Sequence, residues 1–328
     1  MVRDELLSLL TGESGKWLTA EDVSRLTGIP VASIRGHILT LQAEGHQIET
    51  SPDKGFRFVP DSLSVDAVSP GLNTSVFGKV GYVYYDETDS TNIRAQALAC
   101  SGYPEGTVVV AERQTSGRGR RGRSWYSPAG QGIYMTIILR PDLPWQHISR
   151  VSLLAAVAVA ETLEEELGLP AGIKWPNDVL INGRKICGIL SEAAVSMEGI
   201  QYIVTGIGIN INNPPREFPE DFRTDPTSVL AEKKQSVSRV RILQVLLARL
   251  ESYYYQALEG RFAEILEKGR RLSLVIGQEV GYDAGKGQAT GLAIDLDENG
   301  SLLVRDPGGV VHTVISGEVS VMSAEEKD

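Results

Sequence analysis

The sequence predicts an α+β protein built from three domains. Amphipathic helices and a short hairpin come first, strands and helices alternate through the middle, and short strands separated by glycines follow. A length of 328 residues accommodates two or three domains at roughly 150 residues each. We place the domains at 1–65, 66–270 and 271–328.

The first domain is predicted to hold three short helices and a hairpin. Leucines line the first helix, Thr19 is the expected N-cap of the second, and Gly28 follows its end. In the third helix, apolar residues recur at helical spacing from Ile34, and Gly45 is its expected end. Polar and apolar residues alternate on both sides of a turn at 51–55, and this pattern predicts the hairpin.

Helix, turn, helix and hairpin in this order resemble a winged helix-turn-helix, whose third helix would enter a DNA major groove. The side chains expected to contact DNA are Ser33, Arg35, His37 and Lys54. Residues 1–61 hold six Lys and Arg against nine Asp and Glu, whereas phosphate binding relies on positive charge. A winged helix that serves only protein contacts, or that has lost its DNA function, is therefore the alternative.

The remaining domains follow a different pattern. Residues 61–80 are small, polar and turn-rich, which predicts a loosely packed connecting segment. Beyond it, strands are predicted over 80–85, 107–112, 132–139 and 202–210, and helices over 148–167 and within 239–267. The acidic run 164–166 is expected to be a solvated helix face. After Gly269, short strands punctuated by glycine are typical of a small β-barrel.

Composition and charge exclude several classes of protein. The net charge of −10, from 32 Lys and Arg against 42 Asp and Glu, excludes a generic polycation that coats nucleic acid. The longest apolar run, 151–160, is shorter than the roughly 18 residues of a membrane helix, and no signal peptide is evident, so we expect a cytoplasmic protein without a membrane partner. Two distant cysteines, Cys100 and Cys187, predict neither a disulfide framework nor a metal site.

The segment 114–125 concentrates positive charge on a glycine-rich backbone. Its Gly117, Gly119 and Gly122 match GxGxxG, but loop-forming residues follow where a dinucleotide-binding motif requires a helix. A Walker A loop is excluded because no Gly-Lys-Ser/Thr ends it. Arginine binds phosphate and carboxylate bidentately, so four arginines in six residues predict an anionic ligand such as a nucleotide. A solvated basic loop and a nucleic-acid patch are the alternatives. Self-repulsion is expected to keep the loop mobile until its ligand binds.

A second candidate site follows further along the chain. Lys174-Trp-Pro-Asn-Asp178 predicts a tight turn, and Asn182-Gly183 predicts a hairpin turn. Lys185 then lies early on the returning strand, which is a rigid element. This lysine is either a catalytic cation or a solvated residue at the edge of a sheet.

Six motifs together resemble those of bacterial biotin protein ligases, in the same order and spacing and over essentially the whole chain. They are Asp89-Ser-Thr-Asn92, Gly117-Arg-Gly-Arg-Arg-Gly-Arg-Ser-Trp125, Lys174-Trp-Pro-Asn-Asp178, Gly183-Arg-Lys-Ile-Cys-Gly-Ile-Leu190, Gly206-Ile-Gly-Ile-Asn-Ile-Asn212 and Ser316-Gly-Glu-Val-Ser320. The resemblance implies a mixed-sheet α/β catalytic domain of the class II aminoacyl-tRNA-synthetase and biotin-synthetase type, followed by an SH3-like barrel. The N-terminal winged helix resembles that of the bifunctional members, which also repress biotin synthesis.

The resemblance implies a two-step reaction. Biotin and ATP, with Mg²⁺, would form biotinyl-5′-adenylate, and the biotinyl group would pass to a lysine of the biotin carboxyl carrier protein of acetyl-CoA carboxylase. Adenylate binding would promote a homodimer that binds operator DNA. Repressor-type relatives often have a Ser-Arg pair at the start of the recognition helix, where this chain has Pro30-Val31. A ligase with a vestigial winged helix, and a lipoate-type ligase, are the alternatives.

Individual residues receive roles from the same resemblance. Catalysis would depend on Lys185, Arg118, Arg120 and Asp178. Biotin would be bound by Ser90, Thr91, Asn92, Gln114, Arg118, Gly119, Arg120 and Lys185. The nucleotide would be bound by Arg121, Arg123, Trp125, Asn177, Asn210 and Asn212. Asp178 would orient or deprotonate the acceptor lysine, and capping of its turn is the alternative role.

Overall fold

The computed structural model describes most of the chain. It covers residues 2–13, 15–43, 46, 48–59, 61–144, 147–197, 199–219, 224–283, 287–315, 317 and 319–322. Gly45, the expected end of the third helix, lies outside these residues, as do Ser316 and Glu318 of the last motif. Within the described part, helices and strands form an α+β architecture with a mixed central sheet, which confirms the predicted class.

The N-terminal region contains the three helices and the hairpin that the sequence predicts. They are α1 (Val2–Gly12), α2 (Ala20–Thr27), α3 (Val31–Ala43), β1 (Ile48–Ser51) and β2 (Gly55–Phe58). Thr19 caps α2 as predicted, because its hydroxyl accepts the Asp22 amide at 3.1 Å while the Asp22 carboxylate accepts the Thr19 amide at 3.2 Å. Gly28 ends α2 in the left-handed conformation. A separate hydrophobic cluster, which includes Ile34 and Phe56, holds these elements together.

The connecting segment is packed rather than loose. It forms α4 (Val65–Val68), and Leu63, Val68 and Phe77 are buried in the main hydrophobic core. Asp61 forms an ion pair with the buried Arg239 at 2.8 Å. The expectation of a loose linker is therefore wrong, because this segment covers apolar surface contributed by distant parts of the chain.

A seven-stranded sheet forms the centre of the molecule. Its strands are β3 (Tyr82–Thr88), β4 (Val108–Gln114), β5 (Gly132–Leu139), β6 (Gly172–Lys174), β7 (Asp178–Ile181), β8 (Arg184–Ser196) and β9 (Gly199–Asn210). The spatial order is β3-β4-β5-β9-β8-β7-β6, in which only the β3–β4 pair is parallel. The predicted strands lie within one to three residues of the observed ones, and β5 has the predicted bounds.

Helices cover both faces of this sheet. They are α5 (Thr91–Cys100), α6 (Ile148–Leu167), α7 (Val229–Lys233), α8 (Arg239–Leu258) and α9 (Phe262–Leu272). The α6 helix packs on one face beneath α8 and α9, and α5 packs on the other with Val109 and Val204. The acidic face of α6 is exposed as expected, yet Glu166 forms an ion pair with Arg241 of α8 at 3.0 Å.

The C-terminal region is a five-stranded antiparallel sheet. Its strands are β10 (Glu279–Asp283), β11 (Gln288–Leu296), β12 (Leu302–Arg305), β13 (Val311–Val314) and β14 (Val319–Val321). Their order is β13-β12-β11-β10-β14, and Val280 and Leu302 extend the main hydrophobic core. No helix in the described part of the chain has the length and apolar character that crossing a membrane requires.

Candidate active site

A cavity of about 1040 Å³ lies on the face of the central sheet that also carries α5. The start of α5, the arginine-rich segment after β4, the β7–β8 hairpin, β9 and the C-terminal sheet all contribute to its lining. The predicted ligand-binding residues that line it are Ser90, Thr91, Asn92, Gln114, Arg118, Gly119, Arg120, Arg121, Arg123, Trp125, Asn177, Asp178, Lys185 and Asn210. Segments far apart in sequence thus converge on one space.

Glycines form the floor of the cavity. Gly188 on β8 and Gly208 on β9 are directly paired across the two strands, so they face the same side of the sheet. The Trp125 ring lies against both: a Cβ on Gly188 would be 2.9 Å from Trp125 Cζ3, and one on Gly208 would be 2.5 Å from Trp125 Cε2. These glycines therefore leave the space that the Trp125 indole occupies. Their role was not predicted, although the alternation of Gly206 and Gly208 within β9 was a visible signal.

Hydrogen-bonded polar side chains form one wall. Gln114 Oε1 accepts the Thr91 amide at 2.9 Å, and Gln114 Nε2 donates to Ser127 Oγ at 2.9 Å. The buried Thr136 hydroxyl donates to Asn92 Oδ1 at 2.8 Å and lies 2.9 Å from Thr91 Oγ1. These bonds fix the orientation of the side chains in the wall relative to one another. Sequence reasoning missed Ser127 and Thr136, since neither belongs to a recognisable motif.

The arginine-rich loop of residues 118–123 lines the cavity opposite the polar wall and has a defined conformation. The Gly119 amide donates to Arg123 O at 2.7 Å, which closes the loop on itself. Arg120 donates to Asn177 Oδ1 at 3.0 Å and to Gly317 O at 3.1 Å, and Arg121 lies 3.6 Å from Asp283. Other elements therefore provide partners for the charges of this loop, and the expectation that self-repulsion keeps it mobile until its ligand binds stays a prediction.

Arg118 of this loop contacts the central sheet. Its guanidinium forms an ion pair with Glu192 of β8 at 3.1 Å. Glu192 was not among the predicted site residues, although it ends the segment that follows Lys185.

Lys185 and Asp178 form an ion pair at 2.7 Å across the β7–β8 hairpin. Lys185 Nζ also lies 5.5 Å from the centroid of the Trp125 ring, within range of a cation–π interaction. The structure therefore places this lysine inside the cavity rather than at a solvated edge. Asp178 faces Lys185, which favours a role in the cavity over capping of the turn. Cys187 is fully buried, and burial raises the pKa of its thiol above the ordinary value, so it remains a protonated core residue.

Two residues predicted to bind the nucleotide, Asn212 and Asn210, form hydrogen bonds with backbone groups of later segments. Asn212 does not line the cavity: its side chain donates to Val237 O at 2.9 Å and accepts the Val237 amide at 3.0 Å, which holds the segment before α8. Asn210 lines the cavity while donating to Thr227 O at 2.9 Å.

The predicted DNA-contacting residues lie on α3 and at the tip of the β1–β2 hairpin. Arg35 and Lys54 are exposed, and Lys54 Nζ lies 6.0 Å from the centroid of the Trp17 ring. The Ser33 hydroxyl donates to Pro30 O at 2.8 Å, so it is engaged in the first turn of α3, and His37 is half-buried.

The site suits a ligand that combines a neutral polar part with an anionic part. Amide and hydroxyl groups recognise neutral polar atoms, while guanidinium and ammonium groups neutralise an anion. Within the described residues, no group of three or more His, Cys, Asp or Glu side chains could hold a metal ion.

Comparison with known proteins agrees with this geometry. Residues 84–210 match the model of the Biotin/lipoate A/B protein ligase family, and residues 275–322 match the Biotin protein ligase C terminal domain. The Bifunctional ligase/repressor BirA of Bacillus subtilis is 35% identical over 311 residues, which cover 94% of this chain and 95% of that protein. The biotin–(acetyl-CoA-carboxylase) ligase of Mycobacterium tuberculosis is 36% identical over 239 residues, covering 71% of this chain and 86% of that protein. The solved structure of the Aquifex aeolicus biotin protein ligase with biotin and ATP aligns with a TM-score of 0.64 and 32% identity, over 74% of this chain and 99% of that one.

Proposed function

The chain belongs to the biotin/lipoate A/B protein ligase family, and from this premise we propose that it activates biotin with ATP and transfers the biotinyl group to a carrier protein. The acceptor would be a lysine of the biotin carboxyl carrier protein of acetyl-CoA carboxylase. The observation that carries the proposal is the convergence of the polar wall, the arginine loop and Lys185 on one cavity. This arrangement matches a ligand that is polar and neutral at one end and anionic at the other.

The first step is difficult because two negative groups must meet. A carboxylate oxygen of biotin bonds to the α-phosphorus of ATP, and the bond from that phosphorus to the pyrophosphate oxygen breaks. Lys185, Arg118 and Arg120, which line the cavity, would neutralise the charge that grows on the phosphate. Gln114 and Thr91 would hydrogen-bond the neutral head of biotin, and the Trp125 ring would contact the adenylate.

The second step transfers the biotinyl group. The amine of the acceptor lysine attacks the carbonyl carbon of the adenylate, AMP leaves, and the amine loses a proton. Asp178 would orient that amine or accept its proton; its position in the cavity lining and its contact with Lys185 support this role. Mg²⁺ would bind with the phosphates of ATP, because it commonly takes one or two protein carboxylates together with substrate oxygens.

Pyrophosphate release tests the activity directly. We expect release only when biotin and ATP are both present, and a loss of about 10²- to 10³-fold in Lys185→Ala. Lys79→Ala, at an exposed position outside the cavity lining, is the matched control and should retain activity. Circular dichroism would verify that both variants fold. Activation of lipoate instead of biotin would contradict the proposal and support the lipoate-type alternative.

We further propose that the N-terminal region is a winged helix-turn-helix that binds operator DNA. Three helices followed by a hairpin support this, and so does the similarity to a bifunctional ligase/repressor over 94% of the chain. Ser33, Arg35 and His37 of α3, with Lys54 of the hairpin, would contact the DNA. Because this domain is acidic, binding should require the homodimer that forms with the adenylate.

Sedimentation with and without biotin and ATP tests the dimer, and a gel shift on DNA upstream of biotin-synthesis genes tests operator binding. Binding that is absent under both conditions would indicate a vestigial winged helix. We propose the same domain limits as above, with a class II synthetase-type fold for 66–270 and an SH3-like barrel for 271–328.

A further inference from the structure

Glu192 connects the arginine loop to the buried wall of the cavity. It lies on β8, its side chain is 26% exposed, and it is outside the cavity lining. One carboxylate oxygen, Oε1, is 3.1 Å from Arg118 Nη2, and the other, Oε2, accepts Asn92 Nδ2 at 2.9 Å. The carboxylate therefore bridges a flexible cationic side chain and a fixed polar one.

Asn92 holds the Glu192 carboxylate in place. Asn92 is 4% exposed, accepts the Thr136 hydroxyl at 2.8 Å, and donates a second bond to Leu190 O at 3.2 Å. A Cβ on Gly206 would overlap the Asn92 amide, so the glycine leaves the space that Asn92 occupies. Because Asn92 is held by the core of the sheet, it fixes the position of the Glu192 carboxylate. This carboxylate in turn anchors the Arg118 guanidinium.

The ion pair between Arg118 and Glu192 also reduces the electrostatic repulsion among the arginines of the loop. Arg118 stands beside three further arginines at 120, 121 and 123, and like charges this close repel one another. Arg120 is bound by the neutral Asn177 amide and a backbone carbonyl, and the Arg121 contact with Asp283 is longer, at 3.6 Å. Glu192 supplies Arg118 with an opposing charge at 3.1 Å, and it does so from the strand that carries Gly188 of the cavity floor.

We propose that Glu192 is a positioning residue for biotin activation, which holds the Arg118 guanidinium at the edge of the cavity so that the anionic ligand meets an already oriented cation. The inference rests on the proposed function. Glu192 acts through Arg118 and does not touch the ligand. Its loss should therefore weaken ligand binding more than it slows the chemical step, because Lys185 and Arg120 remain in place.

A double-mutant cycle tests this role. Glu192→Gln keeps the shape and an acceptor for Asn92 but removes the charge, and we expect a rise in KM for biotin of roughly threefold to tenfold with a smaller change in kcat. In the Arg118→Gln background, the same substitution should add nothing. Glu87→Gln, which removes the charge of an exposed ion pair with Arg113 outside the cavity, should leave KM unchanged.

Limited tryptic cleavage adds a readout that does not require activity. Loss of the anchor should speed cleavage within residues 118–123 of the free protein, while cleavage elsewhere stays at the wild-type rate. If Glu192→Gln folds incompletely, Glu192→Asp keeps the charge with a shorter reach and should shift both measurements in the same direction. An unchanged KM and cleavage rate, or an equal loss with and without Arg118, would overturn the inference. Failure of the proposed function would instead be seen as absence of pyrophosphate release by the wild type.

Discussion

Substitution of Gly208 by alanine tests whether the glycine floor positions Trp125. The new Cβ would lie 2.5 Å from Trp125 Cε2, whereas ordinary contact begins at 3.4 Å, so the indole must move by about 1 Å. Overfilling a packed site costs about 1–3 kcal/mol. For a domain of this size, that corresponds to a fall in Tm of roughly 2–12 °C. Because Lys185 Nζ lies near the ring, the shift should also disturb the position of this ammonium group, which we propose neutralises the phosphate.

A graded series makes the prediction specific. Gly188→Ala places its Cβ 2.9 Å from Trp125 Cζ3, so it requires about half the movement and should have a smaller effect. Gly281→Ala on β10 meets nothing within 4 Å and should be neutral or slightly stabilising, since alanine reduces the entropy of the unfolded chain. Thermal unfolding gives the stabilities, and titration calorimetry with biotin and a non-hydrolysable ATP analogue gives the affinities. Equal Tm and affinity in Gly208→Ala and Gly281→Ala would refute the reasoning.

Two further predictions concern stability. Arg239 is buried and paired with Asp61 and Glu112, each at 2.8 Å, so Arg239→Met should leave two carboxylates without their cation and lower the free energy of unfolding by about 3–5 kcal/mol. Urea titration measures this, and a loss below about 1 kcal/mol would contradict it. Hydrogen bonds from the Thr19 hydroxyl and amide lower the pKa of the Asp22 carboxyl below its ordinary value of 3.8. The ionised Asp22 therefore stabilises the folded N-terminal region above pH 3.8. This contribution to stability disappears as the pH falls through the lowered pKa. Asp22→Asn should remove this part of the acid dependence, and an unaltered pH profile of unfolding would count against it.

Local chemistry was sufficient to predict most of the fold. The bounds of β5 and α6 agree with prediction because strand and helix periodicities extend over their whole length. The Asn182-Gly183 turn, with both residues at positive φ, returns the chain so that Lys185 faces Asp178. Much of the candidate site could also be predicted from the sequence, because its charged and polar residues occur in short contiguous motifs.

Tertiary structure decided what those residues contact. Asn92 and Glu192 are 100 positions apart, and Asp61 and Arg239 are 178 apart, so no local pattern relates them. The polar composition of 61–80 indicated a loose linker, but distant helices and strands bury its few apolar side chains. The arginine loop was expected to repel itself, yet the folded chain places Glu192, Asn177 and Asp283 around it.

The sequence by itself therefore determined the class of fold, most of its elements and the chemistry of the ligand-binding motifs. These depend on backbone preferences and on neighbours within one or two turns. Only the tertiary structure decided which carboxylates neutralise the arginines, which glycines accommodate Trp125 and which polar groups orient Gln114. Those contacts arise when strands and loops far apart in sequence pack together, and their energies depend on the burial and geometry that this packing creates.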